Sequence, residues 1–126
     1  MDKNSETLCE VLFAALTNDK EVSKMIADNI FPLRTKEAVK GGYIVIDSFE
    51  TVNSSTKDGF FPESLSARLL CVDKTYSSAS ALAASVESVI KSLYIPQFGD
   101  ALAVVQKKEG IEGDEFLQEL IIKIDL

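Results

Sequence analysis

Residues 43–49 read Tyr-Ile-Val-Ile-Asp-Ser-Phe and form the clearest strand signal in the chain. Their β-branched and aromatic side chains suit the pleated, half-buried surface of a sheet. The pair Gly41-Gly42 stands directly before them and marks a turn. This stretch therefore places a sheet at the centre of the fold, and the neighbouring segments must supply further strands and the helices that cover it.

A second strand is predicted at Ser64–Val72, where side chains alternate between two faces. One face carries Leu65, Ala67, Leu69 and Cys71. The intervening segment Asn53–Pro62 is polar and turn-rich until the aromatic pair Phe60-Phe61, so we interpret it as a long connecting loop. The two strands are expected to pair as a hairpin.

Three segments have helical spacing. Apolar residues recur every three or four positions over Ser5–Leu16. Asn18 then resembles an N-cap with Glu21 three positions later, which predicts a short second helix. The longest helix is predicted from Ser77 or Ser78 to Leu93, with one apolar stripe formed by Ala79, Leu82, Ala83, Val86, Ile90 and Leu93.

The remaining sequence predicts a second hairpin, with strands at Ala101–Gln106 and Phe116–Leu126 around a turn at Lys107–Asp114. Residues Ile30–Leu33 are expected to be extended, because a residue before proline avoids the helical region. The order of segments predicts an α+β fold with a four-stranded antiparallel sheet of ββαββ order. One long helix packs on this sheet and two N-terminal helices precede it, in a single domain of residues 1–126.

Composition limits the function classes. The 126 residues are 46% hydrophobic and 26% charged, with a net charge of -7. There is no apolar run of about 18 residues and no signal-like N-terminus, so we expect neither a membrane span nor secretion, and the protein stays in the cytosol. The acidic balance offers no basic stripe to phosphate backbones, which argues against specific nucleic-acid binding.

The sequence contains no histidine and no phosphate-binding, dinucleotide-binding or nucleophile-elbow motif. Carboxylate pairs such as Asp47 with Glu50, or Glu112 with Asp114, could carry acid–base chemistry or hold a cation, but solvated turn residues are the better interpretation of the second pair. The distant Cys9 and Cys71 are interpreted as buried small hydrophobes. We therefore predict no enzyme, no metal and no cofactor.

Two surfaces remain as candidate interfaces. Phe60 and Phe61 either fold over the protein's own core or insert against a neighbouring subunit. On the last strand, Leu117 and Ile121 alternate with charged residues, and this outer face is either shielded by the N-terminal helices or offered to a partner. The predicted interface residues are Lys57, Asp58, Phe60, Phe61, Arg68, Leu117 and Ile121.

The order of several short segments resembles the phage tail-completion family, also described as tail terminators or head-tail joining proteins. The resemblance lies in an N-terminal amphipathic helix, then Asn18-Asp19-Lys20-Glu21-Val22, Asn29-Ile30-Phe31-Pro32 and Gly42-Tyr43-Ile44-Val45-Ile46. A helix like Ser78–Leu93 and a closing strand like Leu117–Asp125 extend it over almost the whole chain. The chain departs from the commoner pattern because it lacks a proline just before Tyr43.

This resemblance implies a ring, commonly a hexamer, between the end of the tail tube and the head connector. The implied partners are other copies of the chain, the tail tube protein and the head-tail connector protein. Assembly is expected in the cytoplasm of the host bacterium, and the final location is the virion tail. The alternative is a monomeric protein-binding adaptor or regulatory module of a mobile element, which would use the same sheet face for one protein partner.

Overall fold

The computed structural model describes residues 3–32, 41–56, 59–96 and 103–125. This part of the chain has an α+β fold, and no helix in it is long and apolar enough to cross a membrane. Its elements are α1 (Lys3–Asn18), α2 (Lys20–Ile26), β1 (Ile30–Pro32), β2 (Tyr43–Thr56), β3 (Gly59–Asp73), α3 (Tyr76–Ser92), β4 (Ala103–Glu112) and β5 (Glu115–Asp125).

Side-chain caps set the starts of α2 and α3. Asp19 caps α2, because its carboxylate accepts a hydrogen bond of 3.0 Å from the backbone N–H three residues later. The predicted N-cap, Asn18, is wrong by one residue. Asparagine and aspartate are both favoured at N-caps, so the sequence does not distinguish Asn18 from Asp19. The Thr75 hydroxyl accepts the equivalent bond at 3.1 Å, so α3 begins at Tyr76, slightly before its predicted start.

The strands form one mixed sheet in the order β1-β2-β3-β5-β4. β1 pairs in parallel with β2, placing Ile30 opposite Ile44, and the other neighbours are antiparallel. The predicted four-stranded antiparallel sheet is therefore wrong in strand number and in the direction of one strand. An extended conformation is confirmed for Ile30–Pro32, but a segment this short has no alternation that would assign it to a sheet.

The hairpin of β2 and β3 is longer than the sequence predicts. Its ladder continues through Asn53–Thr56 opposite Gly59–Pro62, so the predicted loop over Asn53–Pro62 is wrong. Backbone hydrogen bonds between strands are available to any residue, and a polar stretch without alternation gives no sign of them. Lys57 and Asp58 lie outside the described residues.

The hairpin of β4 and β5 has a shorter turn than predicted. β4 continues to Glu112 and β5 begins at Glu115, so most of the predicted Lys107–Asp114 turn is strand. Gly113 has a φ of 63°, which glycine adopts without strain and which allows the chain to reverse within two residues. The predicted strand at Ala101–Gln106 thus covers only the first part of β4. Its second part is charged and was interpreted as a turn, although charges are common on edge strands.

The hydrophobic core lies between one face of the sheet and the three helices. The inward alternation predicted for β3 and β5 is confirmed, and so is most of the α3 stripe. Both cysteines are buried in this core. The largest fully buried side chains are Leu8, Leu12, Leu16, Ile44, Ile46, Leu65, Leu69, Leu82, Ile90, Ile95, Leu120 and Ile122.

The N-terminal helices lie on the same side of the sheet as α3. Leu12 of α1 and Val22 of α2 share one buried cluster with Leu82 of α3 and the inward-facing Leu69 of β3. Of the two alternatives for the outer face of β5, shielding by these helices is therefore wrong. Helical periodicity indicates which side of a helix is buried, but it does not indicate which face of a sheet the helix covers. Within the described ranges, no helix covers the opposite side, which we call the open face.

Candidate functional site

The open face combines apolar and charged side chains. Val45 and Val72 are buried on it, and Leu70, Leu117 and Ile121 are half-buried. Strand register brings these residues together with charged neighbours from four strands. The open face includes Val45, Asp47, Glu50, Ser66, Arg68, Leu70, Val72, Gln106, Lys108, Leu117, Glu119 and Ile121.

Arg68 lies at the centre of the open face and joins three strands. Its Nε donates a 2.8 Å hydrogen bond to Asp47 Oδ2 on β2, and its Nη2 donates to the same oxygen. Its Nη1 lies 3.6 Å from Glu119 Oε1 on β5. A register irregularity between Ile46 and Ser48 brings Asp47 beside Arg68. The Arg68 guanidinium therefore bridges two carboxylates, with hydrogen bonds to Asp47 and a longer ion pair to Glu119.

A groove of about 280 Å³ lies on this face beside Arg68. Lys108 and Gln106 of β4 line it, together with Glu119 and Ile121 of β5. Lys108 is directly opposite Glu119 in the strand register. The groove is shallow and polar, and it suits contact with another protein surface better than enclosure of a small molecule.

Three of the predicted interface residues come together here. Arg68 is directly opposite Ile121 on neighbouring strands, and Leu117 lies on the same face opposite Val72. Sequence alternation predicted this face of β5. The ion pair between Arg68 and Asp47 had no sequence signal, because the two residues are far apart in the chain and meet only through the register of β2 and β3.

Of the other four predicted interface residues, Phe60 and Phe61 belong to the far end of the β2–β3 hairpin. The backbones of Phe60 and Phe61 lie in β3, opposite Ser55 and Ser54. Their side chains, like all of Lys57 and Asp58, lie outside the described residues. The ladder between β3 and β5 begins only at Ser64, so among the described strands this hairpin end pairs with itself alone.

A second polar surface, which the sequence did not indicate, lies between α3 and β4. Lys107 Nζ lies 2.7 Å from Glu87 Oε2, and Lys91 Nζ lies 3.3 Å from the other oxygen. The hydrogen bond from Lys107, with that from Lys91, holds the pKa of Glu87 below its ordinary value despite partial burial. These groups border a groove of about 440 Å³. Because the Glu87 carboxylate is ionised and paired with two lysines, it is not suited to general acid chemistry.

Near the start of α3 and the turn between β4 and β5, aromatic and apolar side chains are exposed to solvent. Tyr76 donates a 2.7 Å hydrogen bond to Glu109 Oε1, which raises the pKa of Tyr76. Its ring packs edge-to-face against Phe116, with centroids 6.2 Å apart. Ile111 is 71% exposed beside the hairpin turn.

The described side chains do not assemble a reactive centre. Burial raises the pKa of Cys71 to about 12, and burial together with the charge of Glu10 raises the pKa of Cys9, so both thiols are poor nucleophiles near neutral pH. Asp47 pairs with Arg68 rather than with Glu50. No cluster of three or more histidine, cysteine, aspartate or glutamate side chains within the described ranges could hold a metal ion.

Comparison with solved structures finds the same fold in a chain of a particle described as "Virion of native gene transfer agent (GTA) particle". The match has a TM-score of 0.78 and covers 99% of this chain and 98% of that chain, at 14% sequence identity. No protein-family model matches the sequence. No curated protein matches it either. At this identity the match establishes a shared fold.

Proposed function

We propose that this chain is a structural protein of a phage or phage-like particle, which caps the tail tube and joins the tail to the head as a ring. The observation that carries the proposal is the fold shared with a gene transfer agent virion chain over nearly the full length of both. The order of sequence segments that resembles tail-completion proteins supports it independently. In this proposal the protein acts through complementary surfaces and has no active site.

A closed ring requires head-to-tail contact between two different patches of each subunit. The open face, with Arg68, Leu117 and Ile121, provides the first patch. The far end of the β2–β3 hairpin, with the Phe60-Phe61 pair, provides the second. Lys57 and Asp58 are assigned to this patch from the sequence alone. A two-stranded ribbon is marginally stable by itself in water, so its end gains stability when it lies on a neighbouring subunit.

The proposed partners are other copies of the chain within the ring, the tail tube protein on one side of the ring and the head-tail connector protein on the other. The net charge of -7 supports a passive role toward DNA. An acidic lining would let DNA pass through the ring because it offers no contacts that release counterions. Assembly takes place in the host bacterial cytoplasm, and the ring remains in the virion tail.

Interruption of the gene in the host cell tests this role. Electron micrographs of the lysate are expected to show heads and tails that are not joined, with tails of uncontrolled length. Complementation with the wild-type gene restores complete particles. A variant with Phe60 and Phe61 replaced by alanine restores them poorly if it folds, because the ring contact is lost. Complete particles with normal tails in the interrupted strain would contradict the proposal.

A further inference from the structure

The charges of the open face form an alternating row across four strands. From β4 to β2 the row consists of Lys108, Glu119, Arg68 and Asp47, with signs plus, minus, plus, minus. Neighbours in the row are directly opposite in register or in contact as ion pairs. Lys108, at one end, is exposed and has no ion-pair partner among the residues that the structure describes.

When a second copy of this row is placed against the first in the reverse order, each charge faces a charge of the opposite sign. When a second copy is turned about a two-fold axis that runs along the strands, the row is read from the other end. Lys108 then faces Asp47 of the second copy, and Glu119 faces its Arg68, so every position meets the opposite sign. The same rotation keeps the strands of the two sheets aligned, which is a common way for two sheets to pack face to face.

We propose that the open face binds the open face of a second copy to form a symmetric dimer. Apolar side chains accompany the charges, since Leu70, Leu117 and Ile121 are half-buried and would lose their remaining exposure. Four strands spaced about 4.8 Å apart and about 33 Å long cover about 630 Å², so two copies bury about 1,250 Å², near the lower limit for a specific interface. The dimer is therefore weak and reversible.

The role of this dimer rests on the proposed function, whereas its existence does not. The ring contact proposed above uses the same open face. Self-pairing would cover that face in the free protein and release it when a tail end supplies a tighter partner, so that rings do not form away from the tail.

Sedimentation velocity over a concentration series up to about 100 μM measures the dimer directly, because association depends on protein concentration. We expect a species of twice the 13.8 kDa chain mass. Its dissociation constant should increase as salt rises from about 0.05 M to about 0.5 M, since exposed charge pairs are screened. Protein that remains monomeric throughout the low-salt series would overturn the proposal.

Charge reversal identifies the surface. Lys108→Glu places like charges together at both ends of the interface, and the dissociation constant should increase about tenfold or more. Lys20→Glu is the matched control, because Lys20 is exposed at the start of α2, away from the open face. It makes the same change in net charge and should leave the dimer intact. Equal weakening by both variants would refute the assignment of the interface.

A mixing experiment tests the alignment of the two rows. Asp47→Lys should also dimerise poorly, but a mixture of Asp47→Lys with Lys108→Glu restores opposite charges at every position and should form a heterodimer. Circular dichroism establishes that each variant is folded. If Asp47→Lys does not fold, the comparison of Lys108→Glu with Lys20→Glu still shows whether the open face is the dimer interface. If the dimer forms but has no effect on tail assembly, only its proposed role of covering the open face in the free protein is refuted. A failure of the protein to join heads and tails would refute the proposed function and leave the dimer unaffected.

Discussion

Replacement of Arg68 by alanine tests the centre of the open face. The change removes the hydrogen bond of 2.8 Å from Nε to Asp47, the second bond to the same oxygen, and the ion pair of 3.6 Å with Glu119. It also leaves two carboxylates close together without their shared cation. The aliphatic part of the side chain, which is partly buried, is lost as well.

The expected loss of stability is modest because the network is partly exposed. The Arg68 side chain is 42% exposed, so solvent screens both pairs. We assign about 1 kcal/mol to the pair with Asp47 and about 0.5 kcal/mol to Glu119 and the lost packing, or about 1.5 kcal/mol in all. Unfolding entropy of about 2.1 cal/mol/K per residue converts this to a decrease in Tm of about 6 °C.

Urea and thermal unfolding followed by circular dichroism at about 1 μM protein measure the change without a contribution from self-association. Arg68→Lys is the matched control, because it retains the charge but loses the forked geometry, and it should recover about half of the loss. The difference between wild type and Arg68→Ala should shrink at high salt. A loss below about 0.3 kcal/mol, or one independent of salt, would refute the clamping role of this arginine.

Further predictions concern other parts of the fold. Glu87 has a lowered pKa in the folded protein, so its contribution to stability is present above its ordinary pKa of 4.5 and is lost as pH falls through the lowered value. Urea titrations should therefore show a smaller loss between neutral and acidic pH for Glu87→Gln than for wild type, and equal pH profiles would be the negative result. Gly42→Ala should cost about 1–3 kcal/mol, because a Cβ there would lie 2.6 Å from Asp73 Oδ2 and 2.9 Å from Cγ2 of the buried Ile26. A melt that matches wild type would show that both side chains move aside freely. Cys71 should react with a thiol reagent only after unfolding, and rapid labelling of the native protein would show that the core opens.

Much of the fold could be predicted where burial imposes a period on the sequence. The alternation through Leu65–Cys71 and the stripe from Ala79 to Ile90 gave the correct elements because each has one face in the core. The polar strands at Asn53–Thr56 and Lys107–Glu112 were missed, because pairing between backbones imposes no such pattern.

The candidate site was predicted in part for the same reason. The apolar members Leu117 and Ile121 follow from alternation along one strand. The charge row does not, because the pairing of Arg68 with Asp47 depends on how β2 and β3 are aligned around an irregular position. Which side of the sheet stays open depends on how the helices pack, and that too is a tertiary property.

Electron microscopy of the purified protein mixed with tail tubes from its own particle tests whether the protein caps the end of the tube. Tubes assembled without the protein are the starting material, and the variant Lys20→Glu is a control for non-specific charge effects. We expect ring-shaped density at one end of each tube and no further growth from that end. Density distributed along the tube, or tubes with bare ends at saturating protein, would contradict it.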